Sequence, residues 1–317
     1  MLIRKELFGK AFSTQPPDSK TLPMAEPPVM RQTPIFNRCV VAAAFAMVDF
    51  AFVLPIFAAP PDINAAVWGR WESNVSNSDV AADRLSDGFF GMRVSAGTGG
   101  VFGRDWRWRA AAVGEGELAI RFAELGFLEG GVNLGLERKF GLGWQAPRLL
   151  ADFLSTMRGD GQPGASGVRM APSIGLLWQG GERWGLRVRY TPEWFLAQST
   201  VFDSFSNAVG IAGWYDLFPS TRLKLGYTFR YGDVVSYAVP PRPDLVANSE
   251  ARAFTSVFGA ERVVYRLEAA THSIEAAVRQ DITDDLGLQA TYRWEITEGQ
   301  GLVYENHIIE LGIHAGF

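Results

Sequence analysis

The feature that most constrains this chain is a period of two. From residue 286 the even positions read Leu286, Leu288, Ala290, Tyr292, Trp294 and Ile296, with Gly287, Gln289, Thr291, Arg293 and Glu295 between them. From residue 222, Leu223, Leu225, Tyr227, Phe229 and Tyr231 alternate with Arg222, Lys224, Gly226, Thr228 and Arg230. From residue 184, Trp184, Leu186, Val188, Tyr190, Pro192 and Trp194 alternate with Gly185, Arg187, Arg189, Thr191 and Glu193. Successive side chains of a strand point to opposite faces, so each segment is apolar on one face and polar or charged on the other.

A soluble sandwich alternates in the same way, but three features favour a barrel that is apolar outside. The segments run well past the five or six residues usual for soluble strands. Trp106, Trp178, Trp184, Trp194 and Trp294 sit near segment ends on the apolar face, as an interfacial aromatic girdle requires. All ten tryptophans lie beyond residue 59 and are read as contributing to it. The polar face carries many arginines and glutamates, each costly against hydrocarbon. Composition agrees. The chain is 47% hydrophobic with a mean hydropathy of only +0.02, as expected if apolar and charged residues share the same strands. With 30 basic against 34 acidic residues there is no basic excess for nucleic acid. Only one apolar run approaches the ~20 residues of a membrane helix, which excludes a multi-span helical protein.

That run lies near the start. Residues 1–37 are polar and proline-bearing; Arg31 and Arg38 then precede an apolar stretch from Val40 to Phe57, and Ala58-Ala59 offer a small-residue cleavage point. Residues 1–59 therefore read as leader and signal peptide, against the alternative of an uncleaved anchor helix since Asp49 interrupts the apolar stretch, and 60–317 as the barrel. Cleavage there would remove Cys39, the one cysteine of the chain. The remainder has 24 basic residues, of which only Lys139 and Lys224 are lysine, and 30 acidic ones.

Twelve strands are expected, at about 62–72, 86–100, 104–117, 127–139, 142–156, 166–180, 183–198, 203–217, 220–236, 270–282, 285–298 and 304–317; the weak alternation of the fifth and eighth leaves ten or fourteen open. Short connections are expected at Thr98–Gly103, Phe140–Gly143, Gln179–Arg183, Phe218–Thr221 and Thr283–Asp285, and long ones at Asn74–Asp87, Met157–Ala165 and Tyr237–Ala269. Short turns on one side and long loops on the other place both termini with the short turns, which in bacterial barrels face the periplasm. The loop 237–269 is expected to fold over or into the mouth, against the alternative of a free surface loop.

The chain stops at Phe317, and Ala315, Ile313, Leu311 and Ile309 precede it at every second position. This resembles the terminal strand of Gram-negative outer-membrane proteins. The resemblance implies an outer-membrane location, recognition by the barrel-assembly machinery, and periplasmic chaperones and outer-membrane lipid as partners. Trp71-Glu72-Ser73-Asn74-Val75, Ser86-Asp87, Gly232-Asp233-Val234-Val235-Ser236 and the stretch Tyr265 to Ser273 resemble a group of outer-membrane barrels, similar to the barrel half of surface lipoprotein assembly modifiers. That family implies a helical-repeat domain before the barrel, and no such repeat is visible here.

The face opposite the apolar one would line the interior. Its basic members are Arg70, Arg93, Arg107, Arg109, Arg169, Arg187, Arg189, Arg222, Lys224, Arg230, Arg279 and Arg293. Its acidic members are Glu72, Glu115, Glu117, Glu129, Glu137, Glu193, Glu275, Asp281, Glu295 and Glu310. Near balance implies little ion preference overall, with a local positive wall where Arg187 and Arg189 neighbour Arg222, Lys224 and Arg230. A porin-like passive channel for small polar solutes is the first reading. A closed barrel held by cross-strand ion pairs, or one that presents its loops as an interaction surface, is the second.

A lipid hydrolase is the third reading, since barrels that this one resembles in size use a histidine and a serine on a membrane-facing strand. Only His272, His307 and His314 are available, and Ser273 beside His272 must point to the other face. No catalytic residue, cofactor or metal site is therefore assigned, and the acidic run 281–285 reads as a solvated turn.

Overall fold

The computed structural model describes residues 61–259 and 261–317; the expected leader and signal peptide lie outside them. The strands are β1 (Asp62–Glu72), β2 (Asp87–Phe102), β3 (Trp106–Ala119), β4 (Phe127–Lys139), β5 (Arg148–Asp160), β6 (Gly167–Gln179), β7 (Trp184–Ala197), β8 (Ser204–Phe218), β9 (Thr221–Ala238), β10 (Ala251–Thr255), β11 (Arg262–Asp281), β12 (Leu286–Gly299) and β13 (Leu302–Gly316), with one short helix, α1 (Pro243–Asn248). Every strand pairs antiparallel with its neighbour. β1 pairs with β13, and β9 bypasses β10 to pair with β11 from Ala238↔Val263 to Thr221↔Gln280. The wall is thus a closed transmembrane antiparallel β-barrel of twelve strands, with β10 laid on the part of β11 that rises above it.

Closure leaves no free edge, which is what lets a sheet span a bilayer. The wall strands hold 11 to 20 residues, at or above the ~9–11 that a tilted spanning strand needs. Large apolar side chains point outward and stay exposed on every strand of the wall, among them Val67, Phe90, Met92, Leu134, Leu176, Val209, Leu225, Ile274, Leu288 and Leu311. Trp106, Trp178 and Trp184 stand at the short-turn end, Trp194 and Trp294 toward the loop end.

Not every tryptophan faces out, which corrects the expectation for the set of ten. Trp68 turns inward and its Nε1 donates to Glu117 at 2.9 Å. It lies over Gly91 of β2, where a Cβ would come within 2.2 Å of the ring. Trp214 likewise lies over Gly185 and faces the Arg222 guanidinium on the inner side.

Three expected boundaries also move. β5 begins at Arg148, not near 142. Gly141 and Gly143 adopt φ of 109° and 84°, and Pro147 follows, so residues 140–147 form an irregular turn. Both faces of β5 carry apolar residues (Leu150 and Leu154 inward, Leu149 and Phe153 outward), which hides the period. β12 and β13 are joined by only two residues, Gln300 and Gly301, both at positive φ, a hairpin turn matched to strand twist. The expected loop 237–269 in fact contains α1, β10 and the start of β11.

Candidate functional site

The inner face is identified by bonds that skip a strand. Arg109 of β3 and Arg189 of β7 both bind Asp152 of β5, the latter at 2.6 Å. Arg169 of β6 reaches Glu129 of β4 at 3.6 Å and Glu193 of β7 at 2.9 Å. Arg70 of β1 binds Glu72 and, over β2, Glu117 of β3. Such reaches are shortest along the chord of a concave surface.

Further pairs line the same face. They join Arg93 to Glu115, Lys224 to Glu275 at 2.8 Å, Arg293 to Glu275 at 3.1 Å, and Ser273 to Glu295 at 3.0 Å. Toward the short turns, Arg222 binds Asp216 at 2.6 Å and Arg279 binds Asp281 at 2.8 Å. Arg107 stands opposite Glu137 in register, and Glu310 opposite Arg70. Arg230 donates to the backbone oxygen of Asp233. Exposed pairs of this kind contribute only about 0–1 kcal/mol each; their main effect is to fix where charge sits in the lumen.

Three polar cavities lie in the lumen among the described residues. One of about 490 Å³ is bordered by Arg187, Arg189, Lys224, Arg230 and Arg293 against Glu275 and Glu295, an excess of positive charge. Another of about 560 Å³ has Arg93, Arg109 and Arg169 facing Asp62, Glu115 and Glu129. The third, also about 560 Å³, opens toward the short turns between Arg70, Arg93, Arg279, Arg293 and Glu115, Glu117, Asp284, Asp285, Glu310. Charge is balanced in the second, slightly acidic in the third (four arginines against five carboxylates) and clearly positive only in the first. Arg187 carries no ion pair among the described residues, and its Nε is buried without a hydrogen-bond partner.

Sequence reasoning missed Asp152, the carboxylate shared by two arginines. It lies on β5, whose period is masked, and the arginines that it pairs with are the only signal that an acid was needed there.

The opposite end of the lumen is covered. Past Gly232, β9 parts from β8 and continues with β11 as a ribbon over the mouth. Gly232 has φ 145° and a Cβ there would lie 2.2 Å from the Phe205 oxygen, so only glycine fits this parting. Val257, Phe258, Tyr237 and Val264 of the ribbon pack on Val75, Phe89, Phe122, Ala165, Val201 and Phe202 from the wall and the other loops. Phe122 and Tyr237 meet the Phe258 ring edge-on at 4.9 and 5.0 Å. The buried Tyr237 hydroxyl donates to Gln162 at 2.7 Å, and burial raises its pKa well above that of an ordinary tyrosine, so it stays protonated.

Arg242 clamps Asp79 at 2.8 Å and Asp244 at 2.6 Å, and this guanidinium holds the Asp244 carboxyl below its ordinary value. Ser73 and the buried Asn74 tie loop 73–86 to Asn306 of β13. The segment 237–269 thus packs over the mouth and is not a free surface loop.

On the outer face, His272 meets the Tyr227 hydroxyl at 2.8 Å and His307 the Tyr292 hydroxyl at 2.9 Å. Ser273, turned inward onto Glu295, makes no pair with His272. His314 borders the cavity at the short turns.

A closed wall, an apolar exterior and a charged interior define a transmembrane β-barrel. No family model and no curated protein matches the chain. Among solved structures it is similar to the COG4313 outer membrane channel from Pseudomonas putida F1, with a TM-score of 0.55 and 12% identity over 82% of this chain and 97% of that one. The CymD monoaromatic hydrocarbon channel (TM-score 0.45, 9% identity, 82% and 89% covered) and the NanC porin (0.43, 11%, 79% and 98%) are more distant. At these identities the likeness is one of fold.

Proposed function

We propose that the chain is a passive channel of the Gram-negative outer membrane that admits small polar solutes and favours anions. The observation that carries this is the cavity where five cationic side chains meet two carboxylates. A charged, low-dielectric constriction selects by the sign of its walls.

The short turns and both termini face the periplasm, the capped mouth faces outward, and the cap limits entry. Residues 1–59 direct export, and the terminal strand ending at Phe317 is the handle for the assembly machinery and its chaperones. The solved structures with this barrel fold include channels, which supports a channel over an enzyme or a lipoprotein exporter.

The test is conductance of the purified protein in a planar bilayer, with the reversal potential measured across a salt gradient. Conductance with anion preference supports the reading. No conductance at any voltage removes it and leaves a closed structural or surface-interaction barrel. Deleting Arg242–Ser256 is expected to raise conductance, and an unchanged value would show that the cap does not gate.

A further inference from the structure

The inner wall has a bare patch beneath the cap. Arg187 of β7 stands in register with Ala212 of β8, and Ala212 with Gly226 of β9. In the next row toward the cap, Gly210 stands opposite Thr228. Gly210, Ala212 and Gly226 floor the cavity of about 490 Å³, and Asn77 of loop 73–86 with Val234 and Val235 of the ribbon border it on the capped side.

Glycine inside a strand weakens it, and marks either a crowded backbone or a place that something else approaches closely. Crowding accounts for Gly175 and Gly185 on the neighbouring strands, where an added Cβ would lie 2.7 Å from the Val188 oxygen and 2.0 Å from the Trp214 ring. It does not account for Gly226, where nothing would be nearer than 3.7 Å. At Gly210 the nearest atom would be the Thr228 hydroxyl at 3.2 Å, the end of a side chain that can turn. Neither glycine has a positive φ. Both keep empty a space that a side chain would fill.

Not all the charges around that space are neutralised. Glu275 holds Lys224 and Arg293, and Asp152 holds Arg189. Arg187 and Arg230 have no carboxylate among the described residues, and Arg230 donates only to the Asp233 backbone oxygen. The two stand at opposite corners of the floor, two strand spacings across and four residues along, with α-carbons about 16 Å apart along the wall. Each guanidinium can fork a carboxylate, and a monocarboxylate would neutralise only one of them. Thr228 lies between them on the cavity wall and supplies a further hydroxyl donor.

The geometry points to a binding seat for a short dicarboxylate, with one carboxylate on Arg187, the other on Arg230, and the carbon chain lying across Gly210, Ala212 and Gly226. The seat rests on the anion-channel reading above, to which it adds the class of anion and the place beneath the cap where that anion halts.

Isothermal titration calorimetry of the folded barrel in an uncharged detergent, at low salt and neutral pH, tests this with succinate and its monomethyl ester as probes. The parent is expected to bind succinate saturably, and the ester about tenfold more weakly, which is what the loss of one charged hydrogen-bonded contact amounts to. Arg187→Gln and Arg230→Gln are each expected to weaken succinate binding by a similar factor and to erase its advantage over the ester. Gly226→Val leaves every charge in place but fills the floor, and is expected to weaken succinate binding as much. Arg104→Gln removes the same charge at a short turn away from the cavity and is expected to bind as the parent does. Heat-modifiable mobility on a gel verifies that each variant is folded.

No saturable succinate binding by the folded parent, or equal affinity for the diacid and the ester, overturns the seat. So does parent-like binding by either glutamine variant or by Gly226→Val, and so does a loss in Arg104→Gln equal to that in Arg187→Gln. Anion-selective conductance without succinate binding keeps the channel and overturns the seat, whereas succinate binding without conductance keeps the seat and removes the channel.

Discussion

Asp152 sets the local sign of the lumen. It neutralises Arg109 and Arg189 at once, and Arg187 beside them has no counter-ion among the described residues. Replacing Asp152 with Asn keeps the shape and removes one negative charge. At about 10 Å in water a unit charge is worth about 0.4 kcal/mol, favourable to an anion and unfavourable to a cation once Asp152 is neutral, so the anion-to-cation permeability ratio is expected to rise roughly fourfold. Reversal potentials measured across a potassium chloride gradient check this, and an unchanged ratio would place Asp152 off the ion path. Asn74 shows residue-scale logic of another kind. Its amide accepts from Ser76 and Ser78 and donates to the backbone of Ser78 and Glu305. Asn74→Ala leaves buried partners unmet, at about 1–3 kcal/mol. The expected readout is faster hydrogen exchange in residues 73–86 with the barrel strands unaffected.

Elements were legible where their two faces meet different surroundings. β7, β9 and β12 have lipid on one side and a charged lumen on the other, and their alternation is plain in the sequence. β5 has leucine on both sides, and Val263, Val264 and Tyr265 at the start of β11 are all buried by the cap, so neither segment shows a period. The covered mouth was legible only as a long connection expected to fold over or into the barrel, because its partners come from distant connections. The clamp of Arg242 on Asp79 and Asp244 holds α1 against loop 73–86. Asp244 has a depressed pKa in the fold, so its contribution is complete above the ordinary carboxylate value of 3.8 and is lost only as pH falls through the lower folded value. Protection of residues 239–250 from proteinase K is accordingly expected to be constant from about pH 5 to 8. Arg242→Ala is expected to abolish that protection at neutral pH, and equal cleavage of variant and parent would show that α1 is held by its buried Leu245 instead.

For the whole molecule, the ring is closed between β1 and β13. Nine register pairs, Asn64↔Gly316 to Glu72↔Ile308, form this seam, and Phe317 extends it by exchanging backbone bonds with Ile63 at 2.8 and 3.2 Å. Those bonds belong to the backbone, whereas the Phe317 ring is 79% exposed and buries little. Phe317→Ala keeps both backbone bonds, so the folded barrel is expected to lose less than about 1 kcal/mol. If the terminal aromatic is instead a handle for the assembly machinery, the same substitution acts before the ring exists. The expected pattern is thus a split: protein refolded in detergent melts at the parent temperature, while the yield of folded, heat-modifiable protein in the outer membrane of cells falls severalfold. Equal losses in both settings would make Phe317 a stability residue. No loss in either would leave closure to the nine pairs alone, with the ring dispensable to assembly.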